Sequence, residues 1–266
     1  MASDSFSLFR SDAFNLSLTP MLVLGIDTAT RIASVGLIAD EQVLAEASSP
    51  TGTNHTETLL PLIVQLLERA NVRLPAIQGL GVSIGPGSFT GLRIALGTVK
   101  GLAYALGQKV AGVSTLEALA RTVTGWEGDV CPILDARKGE VYTARFQRDR
   151  DGNVARISPD QVVAPQTFFS ALGAPCLFLG DGIERYGELL QRQCGPGARF
   201  LPFSSYHPRG SVVALMAWER FHLGASDDIA ALAPSYLRKP EAEFKRGGAG
   251  EPLERQEGSP SWRTGQ

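Results

Sequence analysis

One pattern constrains this chain more than any other, because it occurs twice: an apolar strand closed by an aspartate, a short turn, then a second strand. The segment GIDTATRIASVGLI puts Asp27 at the end of the first such strand, and PILDARKGEVYTARF puts Asp135 at the end of the second. Around the first copy, strand-like runs cover Met21 to Asp27, Ser34 to Ala39 and Val43 to Ala47. Helical spacing follows from Glu57 to Ala70 and from Phe89 to Leu106, with buried-strand patterns at Gly79 to Ile84 and Lys109 to Val113 and a short helix at Thr115 to Arg121. Strands at Val130 to Leu134 and Val141 to Phe146 then restart the series, and helices and strands continue to about Gly224. A meander of strands giving way to strand–helix units predicts an α/β chain with mixed sheets flanked by helices. On pattern alone, the two copies fit a duplicated domain and two unrelated hairpins about equally.

Composition narrows the function classes. The chain's 266 residues suit one large domain or two modest ones. With 25 basic and 27 acidic residues it lacks the clustered basic surplus that gripping nucleic acid requires. Its 3 histidines (His55, His207, His222) form no spaced pair, so neither a metal centre nor a cofactor is expected. The 3 cysteines form no CxxC pair, which fits buried thiols in a reducing, cytoplasmic setting. No apolar run approaches the roughly 18 residues of a membrane span. Residues 1–20 lack the features of a secretory or transit signal, and 240–266 are rich in charge and glycine, so both are expected to be disordered. That leaves a first lobe at 21–121 and a second at 122–239.

Two features stand out within this frame. The loop GPGSFTG, residues 85 to 91, joins a buried strand to the long helix. Its spacing fits neither a P-loop nor a dinucleotide fingerprint, since Leu92–Arg93 and Thr90 occupy the deciding positions. It reads first as a tight turn with Ser88 as N-cap, and second as a weak anion contact. The long helix carries a core face of Phe89, Leu92, Ala95, Leu96, Val99, Ala103 and Leu106. Its opposite face is also apolar or small: Ile94, Thr98, Gly101 and Ala105, flanked by Gly97 and Leu102. On the preceding helix, Leu59, Ile63, Leu66 and Ala70 make the core stripe, while Leu60, Val64 and Leu67 widen it. Such helices are covered on two sides. They either pack on each other over the sheet or present a patch to another chain.

Taken together, GIDTATRIASVGLI, NHTETLLPLI, GPGSFTGLRIALGTVKGLA, LDARKGEVY and PSYLR resemble the TsaB (YeaZ) family in order and spacing from Met21 to about Arg238. The resemblance implies an ASKHA, actin-like fold of two RNase-H-like lobes. It also implies a non-catalytic subunit that dimerises with its paralogue TsaD, the enzyme that forms threonylcarbamoyladenosine in tRNA, with a TsaE-type ATPase joining the pair. Family dimerisation uses the first two helices, which makes Leu60, Val64, Leu67, Ile94, Thr98, Gly101, Leu102 and Ala105 the expected partner interface; a homodimer through the same helices is compatible. The V-N-H-x-E-G-H metal stretch of TsaD corresponds to Val113 to Leu119, where Thr115 and Leu119 replace its two histidines. His55 is read as part of its own turn. Asp27, Thr28, Gly85, Gly87 and Ser88 form a candidate vestigial nucleotide or anion site. Ala29 stands where ATP-binding relatives carry glycine, and Gly180 to Arg185 lacks a double-glycine adenosine clamp. An ASKHA ATPase or kinase acting alone is the alternative; a metallopeptidase finds no H-E-x-x-H. The basic residues Arg137, Lys138, Arg145, Arg148 and Arg150 read as solvated faces, leaving tRNA contact indirect.

Overall fold

The computed structural model describes residues 19–49, 55–169, 172 and 175–238. The extensions expected at 1–20 and 240–266 lie outside them, apart from Thr19 and Pro20. The first sheet contains β1 (Leu22–Asp27), β2 (Ala33–Ala39), β3 (Gln42–Ser49), β4 (Gly79–Gly85) and β5 (Lys109–Ser114), in the order β3-β2-β1-β4-β5. β1 and β2 are antiparallel, as are β2 and β3, whereas β4 runs parallel to β1 and β5 to β4. Parallel neighbours need crossovers. They are supplied by α1 (His55–Arg69) and α2 (Phe89–Leu106), while α3 (Thr115–Arg121) leads out of β5.

The second sheet repeats this plan. Its strands are β6 (Gly128–Asp135), β7 (Val141–Thr143), β8 (Phe146–Arg148), β9 (Val154–Arg156), β10 (Gln161–Val163), β11 (Cys176–Leu179) and β12 (Ala198–Phe200). β7 and β8 both run antiparallel to β6, as one strand interrupted at Ala144–Arg145, and β10 and β9 pair with them in turn. β11 and β12 then add in parallel on the other side of β6. Counting each interrupted pair as one strand, both sheets have the order 3-2-1-4-5 with the same directions. The aspartates of the sequence repeat, Asp27 and Asp135, end the equivalent central strands β1 and β6. The duplication is therefore real, and the chain has the two-lobed ASKHA fold. Two short helices complete the second lobe, α4 (Pro165–Phe169) and α5 (Ile183–Cys194).

The boundary expected at 122–239 needs correction. The last helix, α6 (Gly210–His222), leaves the second lobe and crosses the first sheet, burying Val213, Ala214, Met216, Ala217 and Phe221. Gly25, Gly36 and Gly81 line its path. A methyl at Gly36 would overlap the Gly210 carbonyl carbon and the Ser211 amide, and one at Gly210 would overlap the Val35–Gly36 backbone. Here glycine is required by backbone-to-backbone approach, not by a turn. The helix start is held by Ser34, whose hydroxyl accepts from Gly210 N at 2.9 Å, and by Glu46, which accepts from Ser211 Oγ at 2.8 Å. Downstream, Asp227 N bonds Val110 O on β5 and Ser235 N bonds Ile84 O on β4, at 2.8 and 2.7 Å. Residues 210–235 thus pack on the first lobe.

Overpacking a core costs about 1–3 kcal/mol, and more where backbone has to move. Gly25→Ala, whose methyl would overlap Gly210 O and the Ala214 backbone, should lose about 3 kcal/mol of stability. A urea titration followed by circular dichroism measures it, with Gly107→Ala, a left-handed helix C-cap with open space around it, as a contrast that strains only the local turn.

Candidate functional site

Asp27 closes β1 fully buried, and its Oδ1 accepts from the amide of Ala29 at 3.1 Å. Burial pushes its carboxyl up to about 7, against the opposite pull of the Ser83 hydroxyl and the Ala29 amide. The Ser83 hydroxyl lies close enough to act but outside hydrogen-bond geometry, so Asp27 Oδ2 and Ser83 Oγ both lack a full partner. Beside it, Thr28 Oγ1 donates to Gly91 O at 2.7 Å. The hairpin turn and the glycine loop are packed together: a methyl at Gly91 would overlap Thr28 O, and one at Gly87 would press on Ala29. Ser88 N donates to Ala29 O at 2.7 Å, and Ser88 Oγ caps α2 by accepting from Gly91 N at 3.2 Å. Gly87, Gly91 and the Ser88 amide serve contact with the turn, while the Gly91 amide on Ser88 Oγ favours the capping reading of Ser88.

Above this junction a cleft of about 850 Å³ separates the lobes. Thr30, Arg31, His55, Gly87, Ser88 and Gly91 line one wall, and Asp135, Arg137, Tyr142, Asp181, Glu184 and Arg185 line the other. Of the candidate nucleotide or anion site, Gly87 and Ser88 therefore reach the cleft, while Asp27, Thr28 and Gly85 lie buried beneath it. His55 Nε2 meets Thr30 O at 2.9 Å, joining the start of α1 to the turn, as expected. Arg31 spans the cleft to Glu184 in a two-pronged ion pair, one contact at 2.6 Å. That pair raises the Arg31 pKa and holds the Glu184 carboxyl below its ordinary value. Asp181 is pushed up by burial, opposed by the Asp135 amide it accepts at 3.1 Å and by Arg31. Sequence reasoning missed Arg31, Asp181 and Glu184 as partners across a cleft, because nothing in their spacing links them. Among the described residues, no group of three or more His, Cys, Asp or Glu could hold a metal ion. Thr115 and Leu119 are both core residues of α3.

The second candidate surface is the outer face of α1 and α2. Leu60 and Val64 on α1 are each 53% exposed, and Gly101 and Ala105 on α2 are exposed. A side chain added at Gly97 or Gly101 would meet nothing within 4 Å. Three of the eight expected interface residues turn inward instead. Leu67 is buried in the first-lobe core, and Ile94 and Leu102 pack partly against it. Tyr104, 68% exposed on the same helix, was not anticipated. At the start of α2, Phe89 also leaves the core and stacks on Tyr236 at 5.0 Å, with the Arg93 guanidinium 3.8 Å over the Phe89 ring.

Comparison with known proteins places this geometry in context. A family model described as "TsaD: tRNA N6-adenosine threonylcarbamoyltransferase" matches residues 48–246. The chain is 31% identical over 228 residues to the tRNA threonylcarbamoyladenosine biosynthesis protein TsaB of Bacillus subtilis, covering 85% of this chain and 97% of that one. It is 40% identical over 174 residues to TsaB of Escherichia coli, covering 64% and 75%. A crystal structure of YeaZ from Pseudomonas aeruginosa superposes with a TM-score of 0.69 at 28% identity, covering 82% of this chain and all of that one.

A buried acid whose pKa rises on folding binds a proton in the native state that the unfolded chain releases, so it stabilises least at high pH. For Asp27, with an ordinary value of 3.8 and about 7 when folded, stability should fall as pH rises from about 4 to 7 and level off above. Asp181 adds to the same slope. Asp27→Asn should flatten most of that fall in urea midpoints measured from pH 4 to 8.

Proposed function

The chain belongs to the TsaB family, and from that premise we propose that it is a non-catalytic subunit in the formation of threonylcarbamoyladenosine in tRNA. In this reading it docks a TsaD-type paralogue through the outer face of α1 and α2 and supports the transfer of threonylcarbamoyl from its AMP carrier to adenosine 37. The observation that carries the reading is the exposed strip of Leu60 and Val64 on α1 and Gly101, Tyr104 and Ala105 on α2, with Thr98 only partly exposed. Apolar surface left open on a folded domain marks a contact site, and small residues let a second pair of helices approach closely. A partner that binds only the competent arrangement of TsaD raises its population, which is how a subunit without chemistry promotes a reaction.

The cleft fits a supporting role better than an enzymatic one. Its glycine loop is packed on the 27–30 turn, its candidate acid Asp27 is sealed beneath the surface, and Arg31 already holds Glu184 across the mouth. The positions matching the metal histidines of TsaD are Thr115 and Leu119. The basic residues flagged on the second lobe are also engaged: Arg145 with Asp129 at 2.6 Å, Arg150 with Glu127 at 2.9 Å, and Arg148 with the Gly152 carbonyl at 2.7 Å. We therefore assign tRNA contact mainly to the partners, and place the work in the cytoplasm with a TsaE-type ATPase joining the complex. A homodimer through the same strip would compete with the heterodimer.

Co-expression with TsaD from the same genome should yield a 1:1 complex on size exclusion with light scattering. Gly101→Arg and Val64→Asp, both on open surface, should abolish that complex while leaving the melting temperature of the isolated chain within about 2 °C. A complex that survived both changes would place the interface elsewhere. Depletion should remove threonylcarbamoyladenosine from bulk tRNA, read by mass spectrometry; ATP turnover by the isolated chain would favour the ATPase reading instead.

A further inference from the structure

The second lobe carries a feature that docking does not use. Cys131 lies in β6 and Cys176 opens β11, the parallel strand beside it. The register pairs Cys176 with Asp129 and Cys131 with Phe178, so the two cysteines are diagonal neighbours on one face of the sheet. Their sulfurs are in direct contact at 3.1 Å, and both residues are sealed from solvent under α5. The Arg145–Asp129 ion pair stands at the same strand end, and its guanidinium favours the thiolate at Cys176. Contact with the Cys131 sulfur and burial act the other way and hold the Cys176 thiol far above its ordinary range. The half-buried Cys194 ends α5 in the same apolar cluster. Opening of α5, a surface helix, is the local event that would admit a small oxidant.

We propose that Cys131 and Cys176 form a modification site, a buried dithiol that a hydroperoxide converts into an intramolecular disulfide. On opening, one thiol gives up its proton and the thiolate attacks the peroxide oxygen, taking OH to become a sulfenic acid while the O–O bond breaks and the leaving alkoxide takes up that proton as an alcohol. The sulfur of the second thiol then displaces the sulfenic oxygen, which leaves as water with the second thiol's proton. Two thiols lose two protons and two electrons, and the peroxide is reduced to alcohol and water. The bond would join the strands whose far ends carry Asp135 and the Gly180–Asp181 turn, where Asp135 N bonds Asp181 at 3.1 Å.

The test uses hydrogen peroxide as oxidant on the full chain and on Cys194→Ser, which removes the competing thiol. Iodoacetamide labelling after unfolding should fall from two cysteines to none in Cys194→Ser, and peptide mapping of both proteins should recover a Cys131–Cys176 cross-link that dithiothreitol reverses. Oxidised Cys194→Ser should melt about 5 °C higher than its reduced form, since the cross-link restricts the unfolded chain. Two labelled cysteines remaining, at peroxide that fully oxidises an exposed thiol in a control peptide, would overturn the proposal. Sulfinic acids without a cross-link, or disulfides confined to Cys194 in the full chain, would overturn it equally.

Discussion

The approach of α6 to the first sheet is the contact on which the rest of the molecule depends. A helix normally rides about 10 Å above a sheet on a layer of side chains. Here Gly36 and Gly210 bring backbone against backbone, and Ser34 and Glu46 take up the amides that the helix start would otherwise leave unpaired. Because α6 comes after the second lobe in sequence, the chain must cross between lobes twice. That return fixes the cleft from below, and the segment to Arg238 ties it again where Arg238 bonds the Ala136 carbonyl at 3.0 Å and pairs with Glu140. The lobes are thus held by covalent crossing as well as by the Arg31–Glu184 pair, which at half exposure contributes about 0–1 kcal/mol.

A second consequence concerns the glycine loop. In a phosphate site, glycines and helix-start amides face outward to an anion. In this chain the turn at 27–30 occupies that space, with Thr28 bonded to Gly91 O and Ala29 O taking the Ser88 amide. Part of the loop is thus packed on the turn, while Gly87 and Ser88 still reach the cleft. Asp27 is left as a buried acid whose proton, rather than a counter-ion, relieves the cost of enclosure.

How much of this was legible from residues alone varied with the physics involved. The bounds of α2 and α3 matched the expected ranges at both ends, because Ser88 and Ser114 are N-caps and Gly107 is a left-handed C-cap, all local signals. The strand expected at Val141 to Phe146 was found broken at Ala144–Arg145, a fault in pairing that no propensity records. Leu67 and Val64 both widen the apolar stripe of α1, yet Leu67, nearer the Leu59–Ile63–Leu66 stripe on a helical wheel, is buried and Val64 is half open.

The sequence by itself determined the strand and helix types, the recurrence of the strand–aspartate–turn pattern, and the family motifs, since each rests on patterns a few residues long; that the recurrence is a duplication came from the matching strand orders of the two sheets. Only the tertiary structure decided that the last helix belongs to the first lobe, that the loop glycines serve packing, that Arg31 faces Glu184, and that Cys131 touches Cys176. Each of those contacts joins residues far apart in the chain. Their distance is set by how layers stack and cross, and local pattern carries no information about that.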